Sequence, residues 1–148
     1  ADASPRRWAV RYAPGEVRAT CRDPGGEAVS SSLRTAGKPV RIELKPDTAT
    51  VGSTFDDMVY VRARVVDANG VTVPSASQRL HFAVKGKGQL IATDNGSSVD
   101  HTPFSSPDRA AQNGLAVALV RGTGHGRFTV TATAEGLRAG SANLVAAE

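Results

Sequence analysis

The sequence predicts an all-β protein: an immunoglobulin-like β-sandwich that follows a short three-strand remnant of a preceding β-sandwich domain. Apolar and polar residues alternate with a period of two along most of the chain, as in residues 58–66. Turns rich in glycine and proline separate these runs at short intervals. No window places apolar residues at the i, i+3, i+4 and i+7 spacing of an amphipathic helix, so strands are expected throughout.

The chain divides near Ala36-Gly37-Lys38-Pro39 into residues 1–36 and residues 39–146. Alternation in the first part predicts three strands, at residues 8–12, 17–21 and 28–35. Three strands are too few for a sandwich, so we interpret this part as the C-terminal strands of a preceding domain. The face predicted to point inward, and to need cover from another surface or a second copy, comprises Trp8, Val10, Tyr12, Val17 and Leu33.

The second part contains seven or eight predicted strands in about 110 residues, a spacing typical of immunoglobulin-like domains. The Asn69-Gly70 pair predicts a tight reversal, because both residues tolerate positive φ. The predicted strands are residues 40–44, 58–66, 71–74, 80–84, 89–93, 115–120, 128–132 and 142–146. Residues 39–146 are therefore expected to form one closed sandwich.

Residues 113–134 give the strongest local signal, two period-two runs around the glycine-rich segment 122–126. This pattern predicts a β-hairpin that forms one edge of the sandwich. The alternation leads us to place Leu115, Val117 and Leu119 in the core together with Phe128 and Val130. The other predicted core residues are Ile42, Leu44, Val59, Val61, Val65, Leu80, Phe82 and Val84.

Composition argues against several classes of function. Basic and acidic residues give a net charge of +4, but they are interspersed, and aromatic residues make up 5% of the chain. We therefore expect no nucleic-acid partner. The longest apolar run, Leu115–Val120, is far shorter than the roughly 20 residues of a membrane-spanning helix, so no membrane partner is expected. Cys21 is the single cysteine, and the three histidines are widely spaced. No metal site and no cofactor are predicted from these residues.

The segment 94–112 interrupts the strand pattern, and loops of this length in compact domains are uncommon and often functional. Its candidate binding residues are Asp94, Asn95, Asp100, His101 and Phe104. The first three carry oxygen atoms suited to a calcium ion. A surface loop pinned by Phe104, a ligand-binding loop and a loop that docks on a neighbouring domain all remain open. Its Asp-His pair lacks the strained serine turn of a hydrolase, so no catalytic residue is predicted.

Several spaced motifs resemble the C-terminal accessory β-domains of glycoside hydrolase family 2 enzymes of the β-galactosidase type. At the N-terminal end they are Trp8-x-Val10-x-Tyr12-x-Pro14-Gly15-x-Val17-x-Ala19 and Thr35-Ala36-Gly37-x-Pro39-x-x-Ile42-x-Leu44-x-x-Asp47. Later in the chain they are Asn95-Gly96, His101, Pro103-Phe104, Pro107, Arg109, Asn113-Gly114-Leu115-Ala116 and Arg121-Gly122-Thr123-Gly124. The resemblance spans essentially the whole chain.

The resemblance implies a non-catalytic accessory domain of a bacterial enzyme that degrades carbohydrate. Family members hydrolyse glycosides with two glutamates on a separate barrel domain, by a retaining mechanism. This chain alone is then not an enzyme, and its partners are the other domains of the parent glycosidase. Self-association through the N-terminal strands and a periplasmic or secreted location are further expectations. Two alternatives stay open: an invasin-type adhesin repeat, which Val65–Pro74 also resembles, and a carbohydrate-binding module.

Overall fold

The computed structural model describes residues 7–22, 25–52, 54 and 56–147. The chain separates into two compact units, Ala1–Thr35 and Ala36–Glu148. Every regular element in the described ranges is a β-strand. None of these residues belongs to a helix with the length and apolar character needed to cross a membrane.

The first unit contains a two-stranded antiparallel hairpin, β1 (Glu16–Arg22) and β2 (Ala28–Arg34). Residues 8–12 do not form the predicted third strand. All residues of both strands are exposed, and so are Trp8, Val10 and Tyr12. The inward face predicted for this unit is therefore not formed, because two strands provide no second layer against which it could be buried.

The second unit is a sandwich of two sheets. The five-stranded sheet has the order β4-β11-β10-β6-β8, and the four-stranded sheet has the order β3-β5-β9-β7. The strand bounds are β3 Arg41–Pro46, β4 Thr50–Gly52, β5 Val59–Val66, β6 Arg79–Gly86, β7 Gly88–Asp94, β8 Asp108–Ala110, β9 Leu115–Gly122, β10 Gly126–Thr133 and β11 Gly140–Ala147. Neighbouring strands are antiparallel except β4 and β11, which run parallel.

The predicted hairpin of residues 113–134 is wrong. The strands β9 and β10 form where alternation predicts them, but β9 pairs with β5 and β7, whereas β10 pairs with β6 and β11. The glycine segment between them therefore crosses from one sheet to the other. The turn at Lys87 makes the same crossing between β6 and β7, and the two turns are hydrogen-bonded to each other, since the amide of Thr123 donates to the Lys87 carbonyl at 3.1 Å.

The core lies between the sheets, and most predicted core residues are in it. Phe82, Phe128 and Val130 are buried, as are Ile42, Val59, Val61, Val65 and Leu80, while Leu44 and Val84 pack against them half-buried. For β9 the predicted face is wrong, because Ala116, Ala118 and Val120 point into the core. Leu115, Val117 and Leu119 lie on the outer face of the four-stranded sheet. The reason is that β9 is apolar on both faces, so that alternation alone does not select one.

Two local features explain how the strands are connected. At the end of β5 the chain reverses at Gly70, whose φ is +80°, and the carboxylate of Asp67 accepts the amides of Asn69 and Val71. The predicted strand 71–74 reduces to a single bridge between Val66 and Thr72. At the start of β7, a Cβ on Gly88 would lie 2.4 Å from the ring of Phe128, so only glycine lets this backbone pass the core aromatic.

Candidate functional site

The unpatterned segment 94–112 is organised around one buried arginine, Arg109, whose exposed fraction is 1%. Arg109 lies on the short strand β8, and its guanidinium reaches back to the end of β7. Its Nη2 donates to the carbonyls of Thr93 at 2.7 Å and Pro103 at 2.9 Å. Its Nη1 donates to the carbonyl of Thr102 at 2.9 Å and to Oδ2 of Asp100 at 3.2 Å. The guanidinium of Arg109 thus donates hydrogen bonds to three backbone carbonyls, one at the end of β7 and two in the loop, and to one carboxylate in the loop.

Asp100 and Asn95 complete this network. The side-chain amide of Asn95 donates to Oδ2 of Asp100 at 2.8 Å and to the carbonyl of Ala110 at 2.9 Å. Hydrogen bonds from the hydroxyl and amide of Thr102 hold the pKa of the Asp100 carboxyl well below its usual range, and the Arg109 guanidinium adds to this effect while burial opposes it. Asp100 is therefore a fixed anion at neutral pH, and its oxygens are committed to groups of the same loop.

The remaining predicted binding residues have different surroundings. Oδ1 of Asp94 accepts the amides of Asn95 at 2.7 Å and Gly96 at 3.1 Å, and so shapes a turn. Phe104 is 64% exposed, with its ring centroid 5.8 Å from the Arg109 guanidinium carbon. His101 is exposed. In the described part of the chain no group of three or more His, Cys, Asp or Glu residues could hold a metal ion. A binding role for this loop stays a prediction.

A second region, which the sequence did not indicate, lies on the outer face of the four-stranded sheet beside this loop. A concavity of about 510 Å3 lies over β5 and β9, and a smaller one of about 190 Å3 lies next to it. Tyr60 and Val117 line both. The others lining the larger concavity are Asp47, Arg62, Ala63, Arg64, Asn95, Leu115 and Ala116, and those lining the smaller are Ala92, Thr93, Asp94, Phe104 and Leu119.

Charged side chains border this face on one side. Glu43 accepts hydrogen bonds from Arg41 at 2.6 Å and from Arg64 at 2.6 Å. The hydrogen bond from Arg41 lowers the pKa of the Glu43 carboxyl, Arg64 lowers it further, and burial opposes them. Hydrogen bonds from the amides of Gly37 and Val71 likewise lower the pKa of the Asp67 carboxyl. These acids are held ionised, whereas a general acid needs a raised pKa.

Sequence reasoning missed both organising features. The sequence marks Arg109 only as part of a family motif, because nothing local identifies a buried arginine, and arginine is almost never fully buried unless it is paired. The outer face was missed because the apolar residues of β9 on that side were assigned to the core. The available signal was the strand itself, Leu115–Gly122, in which both alternating sets are apolar.

Similarity to known proteins agrees with this architecture. The model for "Glycoside hydrolase family 2 C-terminal domain 5" matches residues 42–143. The chain is 33% identical over 132 residues to the β-galactosidase BoGH2A of Bacteroides ovatus. The aligned residues make up 88% of this chain and 16% of that protein. A second curated relative, a β-galactosidase of Thermoanaerobacter pseudethanolicus, is 34% identical over 67 residues, which are 45% of this chain and 9% of that protein.

Solved structures extend the similarity to the fold. A glycosyl hydrolase family 2 member from Bacteroides cellulosilyticus matches with a TM-score of 0.87 and 26% identity, covering 95% of this chain and 18% of the other. A β-glycosidase from Bacteroides vulgatus matches with the same TM-score and identity, covering 93% and 18%. The chain thus spans less than a fifth of the length of these relatives. It belongs to the glycoside hydrolase family 2 C-terminal domains and is an accessory domain of that family.

Proposed function

We propose that this chain is a non-catalytic packing module of a larger, retaining glycosidase of the β-galactosidase type, and that the parent protein degrades carbohydrate. The observation that carries the proposal is the family match over residues 42–143, which occupies most of the sandwich, in a chain that spans 16% of a β-galactosidase relative. Within the parent the module packs against other domains and contributes to their arrangement around the active site.

The chemistry of the described residues supports this division of labour. Retaining glycosidases need a nucleophile and an acid/base carboxyl about 5 Å apart, and the acid must keep its proton near neutral pH. The three acids with shifted pKa values, Glu43, Asp67 and Asp100, are all shifted downward by hydrogen bonds to their charged forms. Each therefore stabilises loops and strands as an anion and is unsuited to donating a proton.

The first experiment compares turnover of aryl β-galactosides by the purified chain and by the parent protein encoded in the same reading frame. We expect turnover by the parent and none by the chain at any pH. Activity of the isolated chain that disappears in Glu43→Gln or Asp100→Asn would contradict the non-catalytic role. A reading frame that encodes no glycosidase barrel would contradict the proposed parent.

A second experiment separates packing from sugar binding. The concavity beside Tyr60 is open to solvent, so the carbohydrate-binding alternative is tested by titrating galactose and lactose into the purified chain calorimetrically. We expect weak binding or none, and a micromolar dissociation constant would favour a carbohydrate-binding module instead. The family match favours an accessory domain over an adhesin repeat. Export of the parent to the periplasm or medium is a further proposal, tested by cell fractionation.

A further inference from the structure

The outer face of the four-stranded sheet carries a contiguous apolar surface formed by Tyr60, Phe104, Leu115, Val117 and Leu119, which we call the apolar face. Leu115 is 45% exposed and Tyr60 is 53% exposed, while Val117 and Leu119 are half-buried. In the pairing of β5 with β9, Tyr60 is directly opposite Leu119. Phe104 lies next to Leu119 and Val117 along the smaller concavity. Contiguous apolar patches on a protein surface mark interaction sites, whereas single exposed apolar residues need no explanation.

The side chains of β9 support the same interpretation. Ala116 and Ala118 face the core, whereas the larger Leu115, Val117 and Leu119 face outward. A strand that is apolar on both faces is typical of sheets covered on both sides, while a sheet with one solvated face alternates apolar with polar residues. One side of β9 is covered by the five-stranded sheet. No strand in the described part of the sandwich covers the other side.

The neighbouring charges indicate what chemistry the covering surface has. On the same outer face, Arg62 is directly opposite Val117 on one side and Lys45 on the other. Within the described residues, Arg62 and Lys45 have no hydrogen-bond or ion-pair partner, whereas Arg64 is held by Glu43. Like charges placed opposite each other across a strand pair repel, so a carboxylate between them would be stabilising.

We propose that the apolar face docks against another domain of the same polypeptide, whose contacting surface is apolar and carries a carboxylate facing Arg62 and Lys45. This inference rests on the proposed function, because the occupant is a domain of the parent glycosidase. The relatives provide the reason for an intramolecular partner, since the chain covers only 16% to 18% of their lengths and each of them places a domain of this fold within one long polypeptide.

The test measures thiol labelling at the apolar face in the 148-residue chain and in the full-length parent. Leu115→Cys and Tyr60→Cys are made in a Cys21→Ser background and labelled with a maleimide, with peptide mass spectrometry to assign each site. The matched control is Ser141→Cys, an exposed position on the outer face of the other sheet. We expect labelling at positions 60 and 115 to be at least about tenfold slower in the parent than in the chain, because a covered thiol reacts only after transient opening.

Each outcome has a definite meaning. Equal labelling rates in the chain and in an active parent overturn the docking proposal while leaving the proposed function intact. A reading frame without a glycosidase, or an inactive parent, overturns the proposed function instead. Slow labelling in the isolated chain that becomes fast on dilution indicates that a second copy covers the face, and this also overturns the intramolecular assignment.

A charge-reversal pair gives an independent measurement. Arg62→Glu should lower the melting temperature of the parent, because the new carboxylate would face the carboxylate of the partner domain. In the isolated chain it should leave the melting temperature unchanged or raise it slightly, because a carboxylate opposite Lys45 replaces a like-charge pair. Arg79→Glu, at an exposed position on the outer side of β6, is the control and should change neither protein. An unchanged melting temperature of the parent with Arg62→Glu would contradict the predicted carboxylate.

Discussion

The two sheets of the sandwich share one core but have different outer faces. The outer residues of the five-stranded sheet are mainly polar, and those on β10 and β11 include Thr129, Thr131, Ser141 and Asn143. On the four-stranded sheet, the corresponding residues of the central strand β9 are Leu115, Val117 and Leu119. The first sheet therefore follows the alternation of a half-solvated antiparallel sheet, and the second does not.

This difference between the outer faces distinguishes the residues that the domain needs for folding from those available for association. Residues that face the core have to be apolar for the sandwich to fold, whereas the folding of this unit provides no reason for apolar residues on an outer face. The polar outer face of the five-stranded sheet needs no covering surface. The proposed docking accounts for the apolar face, because the relatives carry a matching domain within much longer polypeptides.

The prediction with the largest expected effect concerns the core-facing residues of the sandwich. Phe82→Ala removes a buried aromatic side chain from the core and should lower the free energy of unfolding by about 3 to 5 kcal/mol. Leu119→Ala, on the outer face, should cost about 1 kcal/mol or less in the isolated chain, because its side chain is already partly solvated. Urea denaturation followed by circular dichroism measures both. A larger loss for Leu119→Ala would show that the face assignment of β9 is wrong.

The second prediction compares two arginines. Arg109→Met leaves the carbonyl of Thr93 without its buried donor, which costs about 1 to 3 kcal/mol, whereas the part-buried carbonyls of Thr102 and Pro103 can bond to water instead. Arg62→Met, on the apolar face, removes no hydrogen bond recorded in the structure and should leave the stability of the isolated chain nearly unchanged. Thermal unfolding of the two variants checks this. Equal melting temperatures would mean that Arg109 does not hold the loop.

Some parts of this fold are encoded locally in the sequence, and others are not. Alternation was sufficient for β5, β6, β10 and β11, because each of them has one polar face. It failed for β9, where both faces are apolar and the larger residues were placed inside. The core-facing residues of β9 are Ala116, Ala118 and Val120, and the larger Leu115 and Leu119 lie on the outer face, so residue size does not identify the inner face either.

The connections and the loop could not be predicted for a different reason. A glycine-rich segment between two strands suits a hairpin and a crossing between sheets equally well, so residues 122–126 did not reveal that β9 and β10 are in different sheets. The same limit applies to Arg109. Its burial depends on carbonyls from residues six to sixteen positions away, which only the folded loop brings together.

The third prediction concerns pH and has a smaller effect. The pKa of Asp100 is lowered in the folded chain, so its contribution to stability is present above its unfolded pKa, about 4, and is lost as the pH falls through the folded value. Wild type should therefore be more stable than Asp100→Asn at pH 7, and the difference between their melting temperatures should narrow as the pH falls below about 4. Glu43 and Asp67 titrate alike in both proteins, so the difference isolates Asp100. A difference that is constant from pH 7 to pH 3 would contradict this assignment.

The smallest expected effect extends the comparison to the N-terminal unit, where both faces of the hairpin are exposed. A two-stranded hairpin without a packed face is at best marginally stable in water. Its amides should therefore exchange with solvent much faster than those of β5, the central strand whose inner face is fully buried. Hydrogen exchange read by mass spectrometry on the 148-residue chain compares residues 16–22 and 28–34 with residues 59–66.

Protection of the hairpin that rises with protein concentration would indicate self-association through its open edges, because unpaired strand edges are ready templates for another chain. Protection equal to that of β5 at every concentration would contradict the interpretation of this unit as strands separated from their own domain, since only a self-sufficient unit would stay closed without a partner.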